Sequence, residues 1–270
     1  MNEIVTSDGA SLNVVVEGDG YPVIFQHGLG GDRNQVAESF PDNAGLRRIT
    51  VECRSHGLSA ASRVDRYSIA GFADDIAAVA DALGIGRLAA GGISMGAAIA
   101  LRLAVLHPER VSALMLVRPA WLAEPAPENM QPYVEAARAM RRHGASGREF
   151  FCASPTGLRL AAEAPDNLAS LLGFFSQNNL PGLADLLESI ALDGPGITEG
   201  QLSELNIPVL VVGNSHDLVH PLDLARRLAA IIPGAHFAEI TPKAVDKARY
   251  IAELRATLGA FLRKFSKELQ

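Results

Sequence analysis

The chain has 270 residues, 48% of them hydrophobic, enough for one large α/β domain with a sizeable core. Its formal net charge is −6 with acids and bases interspersed and no basic run, which argues against nucleic acid as the main partner. Two cysteines, Cys53 and Cys152, make no disulfide framework, the N-terminus lacks the pattern of a signal peptide, and no apolar run reaches the ~18 residues of a membrane helix, so a soluble cytoplasmic protein is expected.

In chain order, Ile4 to Thr6 and Leu12 to Val16 read as strands joined at Asp8-Gly9, a hairpin pattern. Val23 to Gln26 suits a buried strand and runs into the glycine-rich His27-Gly28-Leu29-Gly30-Gly31. Ile49 to Glu52 reads as the next strand, followed by Cys53-Arg54-Ser55-His56-Gly57-Leu58-Ser59. Ser68 opens a helix with Ile69, Phe72, Ile76, Val79 and Leu83 at helical spacing, and Gly84 ends it.

Next comes a short apolar segment, Leu88 to Gly91, that leads through Gly92-Ile93-Ser94-Met95-Gly96 into an alanine-rich helix ending near His107-Pro108. The pentapeptide fits G-x-S-x-G, in which a sharp strand-to-helix turn exposes a strained serine at the end of a sheet. Val111 to Val117 is a strand that stops at Arg118-Pro119. Alternation of strands and helices up to this point implies a parallel sheet covered on both faces.

The alternation then breaks. Residues 120–200 contain helical patterns punctuated by prolines, among them Pro155, Pro165 and Pro181, and no convincing strand. It resumes with the strand Val209 to Val212, the helix Leu222 to Ile232, the strand His236 to Ile240 and a helix from Lys247 to Lys264. The division expected is a core of residues 1–119 and 201–270 with a helical cap inserted at 120–200.

Four motifs occur together at strand ends: His27-Gly28-Leu29-Gly30, Arg54-Ser55-His56-Gly57-Leu58-Ser59, Gly92-Ile93-Ser94-Met95-Gly96 and Gly213-Asn214-Ser215-His216-Asp217-Leu218-Val219-His220-Pro221. On these the chain resembles the α/β-hydrolase superfamily over almost its whole length. The resemblance implies a mostly parallel sheet with helices on both faces and a helical cap. It also implies acyl transfer to water, with Ser94 as nucleophile and the backbone N–H groups of Leu29 and Met95 as oxyanion hole. Asp217, just past the Val209 to Val212 strand, takes the place of the acid that orients a histidine.

The base is where the sequence departs from the family. A histidine usually follows the last strand, but here Thr241-Pro242-Lys243-Ala244-Val245-Asp246 stands there, and no histidine follows His236. His220, on the acid loop, is the first candidate; His27, His56 and Asp246 are the others. Arg118 at a strand end suits either a substrate carboxylate or an acid of the inserted helices, and Trp121 is assigned beside it to substrate binding. The many leucines and phenylalanines of the insertion imply a partly apolar pocket.

With no dinucleotide fingerprint, P-loop or metal-ligand spacing, no cofactor and no metal are expected. The expected protein is a serine hydrolase for a small, partly apolar ester, lactone or thioester, with a small-molecule substrate and no nucleic-acid or membrane partner. Two readings stay open beside it. One is a non-hydrolytic protein of this fold that binds a small ligand. The other is an enzyme with a non-standard base and lyase or transferase chemistry.

Overall fold

The computed structural model describes residues 2–42, 45–59 and 67–266. Among them eight strands form one sheet: β1 (Asn2–Ser7), β2 (Ala10–Glu17), β3 (Tyr21–Gln26), β4 (Leu46–Val51), β5 (Leu88–Ile93), β6 (Val111–Val117), β7 (Val209–Gly213) and β8 (His236–Glu239). Their order is β1-β2-β4-β3-β5-β6-β7-β8. β2 runs antiparallel to β1 and β4, and every other pairing is parallel. The Asp8-Gly9 turn has φ of 43° and 72°, positive at both positions as a two-residue type I′ hairpin requires.

Side chains alternate between two apolar layers. Val23 and Phe25 face one side with Leu254 and Leu258 of the last helix, and Ile24 faces the other with Ile76 and Ile99. The helices of the core are α1 (Arg33–Ser39), α2 (Ile69–Ala82), α3 (Met95–Leu106), then, late in the chain, α10 (Leu222–Ile231) and α11 (Lys247–Ser266). Ser68 caps α2 by accepting the Gly71 N–H, as its position before the first apolar residue predicts. Sequence reading gives no helix at α1. With only Val36 and Ser39 buried it carries too little apolar periodicity, and it is held instead by its cap Asp32, which accepts the Asn34 and Gln35 N–H groups.

Between β6 and β7 the described elements are helical: α4 (Gln131–His143), α5 (Gly147–Ala153), α6 (Pro155–Glu163), α7 (Pro165–Phe174), α8 (Leu180–Ala191) and α9 (Glu199–Ser203), with two short 3-10 turns. The prolines start helices more than they break them. Pro155 and Pro165 occupy the first position of α6 and α7, where a missing N–H costs no hydrogen bond. α9 runs across residue 200, so the sequence boundary at 200/201 cuts a helix.

The parallel register aligns the strand ends that matter. Gln26 pairs with Gly92, Ile93 with Val117, and Val117 with Val212. The segments that begin at His27, Ser94, Arg118 and Asn214 therefore leave one edge of the sheet side by side. No helix of the described residues is long and apolar enough to cross a membrane.

Candidate active site

Ser94 joins β5 to α3 with φ 55° and ψ −112°. Such backbone strain in a non-glycine residue costs on the order of 1–3 kcal/mol and persists only where the surroundings impose it. The neighbouring glycines show how they do. A Cβ on Gly92 would lie 2.5 Å from the Gly96 carbonyl carbon, and one on Gly96 2.5 Å from the Gln26 carbonyl oxygen. Only glycine lets the strand, the turn and β3 come this close.

The Ser94 hydroxyl is 2.8 Å from His220 Nε2. On the far side of the ring, Nδ1 lies 2.9 and 3.0 Å from the two carboxylate oxygens of Asp217. A carboxylate accepts, so Nδ1 carries the proton and donates, and Nε2 is left to accept from the Ser94 hydroxyl. All three side chains are buried. The loop after β7 thus carries both the carboxylate and the imidazole, three residues apart.

Burial holds His220 below the ordinary histidine range, only partly opposed by Asp217. The ring is therefore neutral, as an acceptor must be. Burial alone would raise the Asp217 carboxyl, but Arg118 and His220 beside it hold it far below the usual carboxylate range.

Of the two readings of Arg118, pairing with acids, one of them on the inserted helices, is the one its contacts follow. Its Nε donates to Asp217 Oδ2 at 2.7 Å and its Nη2 lies 2.5 Å from the same oxygen. Nη2 is also 3.7 Å from Asp166 of α7, and the guanidinium lies over the Tyr250 ring. The group borders the cavity but is committed to the acid, so it supports the site rather than awaiting a substrate carboxylate. Trp121 is corrected outright: it is 1% exposed within the apolar core, and its indole N–H donates to the Asp193 carbonyl at 2.9 Å. It does not line the cavity at Ser94.

The other candidate bases are also placed elsewhere in role. His27 Nε2 accepts the Cys53 N–H and its Nδ1–H donates to the Gly28 carbonyl. His56 Nε2 accepts the Gly30 N–H and its Nδ1–H donates to the Arg54 carbonyl. Both rings are buried and held neutral, His56 pushed down to about 3 chiefly by burial. They fasten the loop after β3 to the loop after β4, with ring centroids 4.8 Å apart. Asp246 is exposed and accepts the Arg249 N–H, so it caps α11 and stands away from the serine. The residue of that segment that does reach the cavity is Lys243, whose Nζ is 2.9 Å from Asp166.

The loop of Gly28 to Gly31 borders the same cavity. Gly28 N–H donates to Gln35 Oε1, Gly30 N–H to His56 and Gly31 N–H to the Gly28 carbonyl. Among the described residues these contacts leave the Leu29 N–H with no protein acceptor. Met95 is the first residue of α3, where helix geometry also leaves the N–H without an intrahelical partner.

Two asparagines that sequence reading passes over hold the acid–base loop. Asn167 Oδ1 accepts both the Leu218 and Val219 N–H groups, at 2.8 and 3.2 Å. Asn129 Nδ2 donates to the Val219 carbonyl at 2.7 Å and to Ala120. Nothing in the sequence marks either residue, because the loop they brace lies 50 or more positions away.

The cavity has a volume of about 240 Å³. Of the apolar side chains in the inserted helices only Phe174 and Tyr133 line it, beside Gln35, Asn167, Ser170 and Lys243. Most leucines of α7 and α8 pack against the core, while Leu183 and Leu186 line a neighbouring cavity that shares Gly30, Gly31 and Phe174 with this one. The cavity at Ser94 itself is small and largely polar, and apolar side chains of the insertion border the adjoining one.

A mostly parallel sheet whose strand ends converge on a strained serine elbow is the architecture of α/β-hydrolases, and residues 21–146 match the family profile described as alpha/beta hydrolase fold. The chain belongs to the α/β-hydrolase superfamily. It is 27% identical over 223 residues to RutD of Rhizobium rhizogenes, a protein named for carbamate hydrolysis, covering 82% of this chain and 84% of that one. It is 30% identical over 221 residues to the dihydrolipoyllysine-residue acetyltransferase component of an acetoin cleaving system from Pseudomonas putida, covering 77% of this chain and about half, 55%, of that longer protein. In three dimensions it superposes on the enol-lactonase of Burkholderia xenovorans LB400 with a TM-score of 0.73 at 22% identity, over 97% of this chain and 100% of that one. A thermophilic esterase from Thermogutta terrifontis gives the same TM-score, 0.73, at 21% identity, over 97% and 99% of the two chains.

Proposed function

We propose that this protein is a serine hydrolase that cleaves a small carboxylic ester, lactone or thioester through an acyl-enzyme on Ser94. The observation that carries the reading is the continuous hydrogen-bonded chain from Ser94 Oγ to His220 Nε2, 2.8 Å, and from His220 Nδ1 to Asp217, 2.9 Å. A serine hydroxyl is a weak nucleophile until an adjacent base takes its proton, and a neutral, oriented imidazole is such a base.

In the first half-reaction Ser94 Oγ bonds to the substrate carbonyl carbon while its proton passes to His220 Nε2. The imidazolium that forms is stabilised by Asp217. The carbonyl oxygen becomes an oxyanion beside the N–H groups of Leu29 and Met95, each such donor contributing about 3 kcal/mol at the transition state. Collapse breaks the bond to the leaving alcohol or thiol, which takes the proton from His220. In the second half water attacks the acyl-Ser94 ester, His220 takes the water's proton, and returning it to Ser94 Oγ frees the acid. Helices α4 to α8 act in this reading as a cap: Tyr133, Asn167 and Phe174 close the cavity over the serine.

The names of the relatives, for carbamate hydrolysis, lactone opening and ester hydrolysis, are compatible with this chemistry. The non-hydrolytic reading rested on a missing base, and the 2.8 Å contact of His220 Nε2 with Ser94 Oγ supports the hydrolytic one over it. A fluorophosphonate probe is expected to label the intact protein at Ser94, with labelling abolished in Ser94→Ala and lost to background in His220→Ala. An unlabelled, folded wild-type protein that also leaves a broad ester panel intact would overturn the proposal.

A further inference from the structure

Two carboxamides border the cavity at Ser94, and their backbone contacts fix which way each one points. Asn167 is 4% exposed, and its Oδ1 faces two N–H donors, Leu218 and Val219. Gln35 Oε1 faces the Gly28 N–H at 2.7 Å. A carboxamide oxygen accepts and its nitrogen donates, so neither group is free to flip without setting donor against donor. The NH2 end of each is therefore the end left over. Among the described residues neither Asn167 Nδ2 nor Gln35 Nε2 has a protein acceptor. Neither is sealed from solvent, unlike the Gln26 amide, whose nitrogen and oxygen are both buried without a partner.

A third donor joins them. Lys243 Nζ carries three N–H bonds and meets Asp166 with one of them, at 2.9 Å. The two carboxylates of the neighbourhood are already paired: Asp217 with His220 and Arg118, Asp166 with Lys243 and Arg118. The cavity thus offers unmet donors from three directions, from α1, α7 and the loop after β8, in addition to the Leu29 N–H. Donors that border the cavity without a protein acceptor are free to meet a substrate oxygen, and a site built to hydrogen-bond such an oxygen disfavours analogues that lack it.

We propose that the substrate carries a second acceptor oxygen, a ketone or carboxylate, a few atoms from the scissile carbonyl, and that Asn167 Nδ2, Gln35 Nε2 and Lys243 Nζ recognise it. This inference rests on the serine-hydrolase reading and names its substrate class. Gln35 and Asn167 have a double task on this account. The oxygen of each holds a loop of the reaction site in place, and the nitrogen selects the substrate.

The test compares kcat/KM of the wild-type protein for four esters of similar size. Ethyl pentanoate has no second acceptor. Ethyl 4-oxopentanoate adds a ketone and monoethyl succinate a carboxylate in the acyl group, and acetoxyacetate places a carboxylate in the alcohol group. At least one acceptor-bearing ester is expected to exceed ethyl pentanoate by tenfold or more, and which one does so identifies the acceptor. Asn167→Asp and Gln35→Glu keep the oxygen that holds the loop and replace the NH2 donor. Each is expected to shrink that ratio by at least fivefold. Ethyl pentanoate hydrolysed as well as all three others, or ratios unmoved in both variants, would overturn the inference while leaving the serine-hydrolase reading intact. No hydrolysis of any ester together with no fluorophosphonate labelling would overturn both.

Discussion

His220 meets Asp217 twice: its backbone N–H and its ring Nδ1 each lie 2.9 Å from the same oxygen, Oδ1. The carboxylate fixes the loop's turn and the imidazole's tautomer together. One loop, anchored from outside by Asn167, Asn129 and Arg118, holds both groups in register with Ser94. If these residues act as a unit, removing any one should disable it. Ser94→Ala and His220→Ala are each expected to lower kcat/KM by about 10⁴-fold or more, and the double variant little further. Single-turnover and steady-state assays with one ester check this; additive losses in the double variant would contradict it.

The acid limb of the pH profile follows from the burial of His220. The base must be neutral to accept the Ser94 proton, so activity rises with pH through the pKa of His220. Burial places that pKa below the ordinary value of 6.5. With an uncharged ester, kcat/KM is expected to be flat at neutral pH and to fall only below pH 6.5. The same shift affects folding. The unfolded chain takes up a proton on this histidine at higher pH than the folded one, so its contribution to stability is complete above 6.5 and declines as pH falls below it. An inflection above pH 7 in kcat/KM would contradict the assignment of His220 as base.

The mostly parallel sheet and the serine elbow are legible in the sequence because each depends on local pattern. Val23 to Gln26 is apolar enough to be buried, and Gly92 and Gly96 stand where a Cβ has no room. His220 was legible only as a candidate. Whether a histidine three residues past an aspartate turns back onto it depends on a loop held by Asn167 and Asn129, which lie far off in sequence. Trp121 was misplaced for the opposite reason. A tryptophan near a strand end suits a pocket wall, but here a carbonyl, that of Asp193, meets its N–H inside the core. The polarity of the cavity at Ser94 is not legible, because most leucines of α7 and α8 turn toward the core or the adjoining cavity and leave Asn167 and Ser170 beside the serine.

Arg118 separates support from substrate binding. Burial opposes its charge, but Asp217 beside it raises its pKa, and it in turn lowers those of Asp217 and His220. Arg118→Met leaves a buried carboxylate with only the histidine for a partner, which is expected to cost about 3 kcal/mol of stability. The pKa of His220 should rise, moving the acid limb of kcat/KM to higher pH. Arg118→Lys keeps the charge and should move the limb less. If Arg118 instead only bound substrate, KM would rise and the limb would stay where it is.

Gly96 tests the elbow apart from the base. A Cβ there would stand 2.5 Å from the Gln26 carbonyl oxygen and 2.7 Å from that of His27, both backbone atoms that cannot swing aside. Gly96→Ala is expected to push α3 away from β3, costing about 2 kcal/mol of stability, in the range for overpacking a tight core. The same push should move Ser94 Oγ out of line with His220 Nε2 and lower kcat more than KM. Thermal unfolding and steady-state kinetics check the two effects, and an alanine variant of unchanged stability would contradict the close approach.

Asp246 is the residue that stands nearest in sequence to where the family keeps its histidine, and it provides the clearest contrast. It is exposed and accepts the Arg249 N–H at the start of α11. A helix cap of this kind contributes about 1 kcal/mol, and asparagine serves the position as well as aspartate does. Asp246→Asn is therefore expected to leave both Tm and kcat/KM close to wild type, whereas Asp246→Ala lowers Tm and leaves kcat/KM unchanged. A large loss of kcat/KM in the asparagine variant would mean that the carboxylate takes part in proton transfer, and would return the search for the base to the loop after β8.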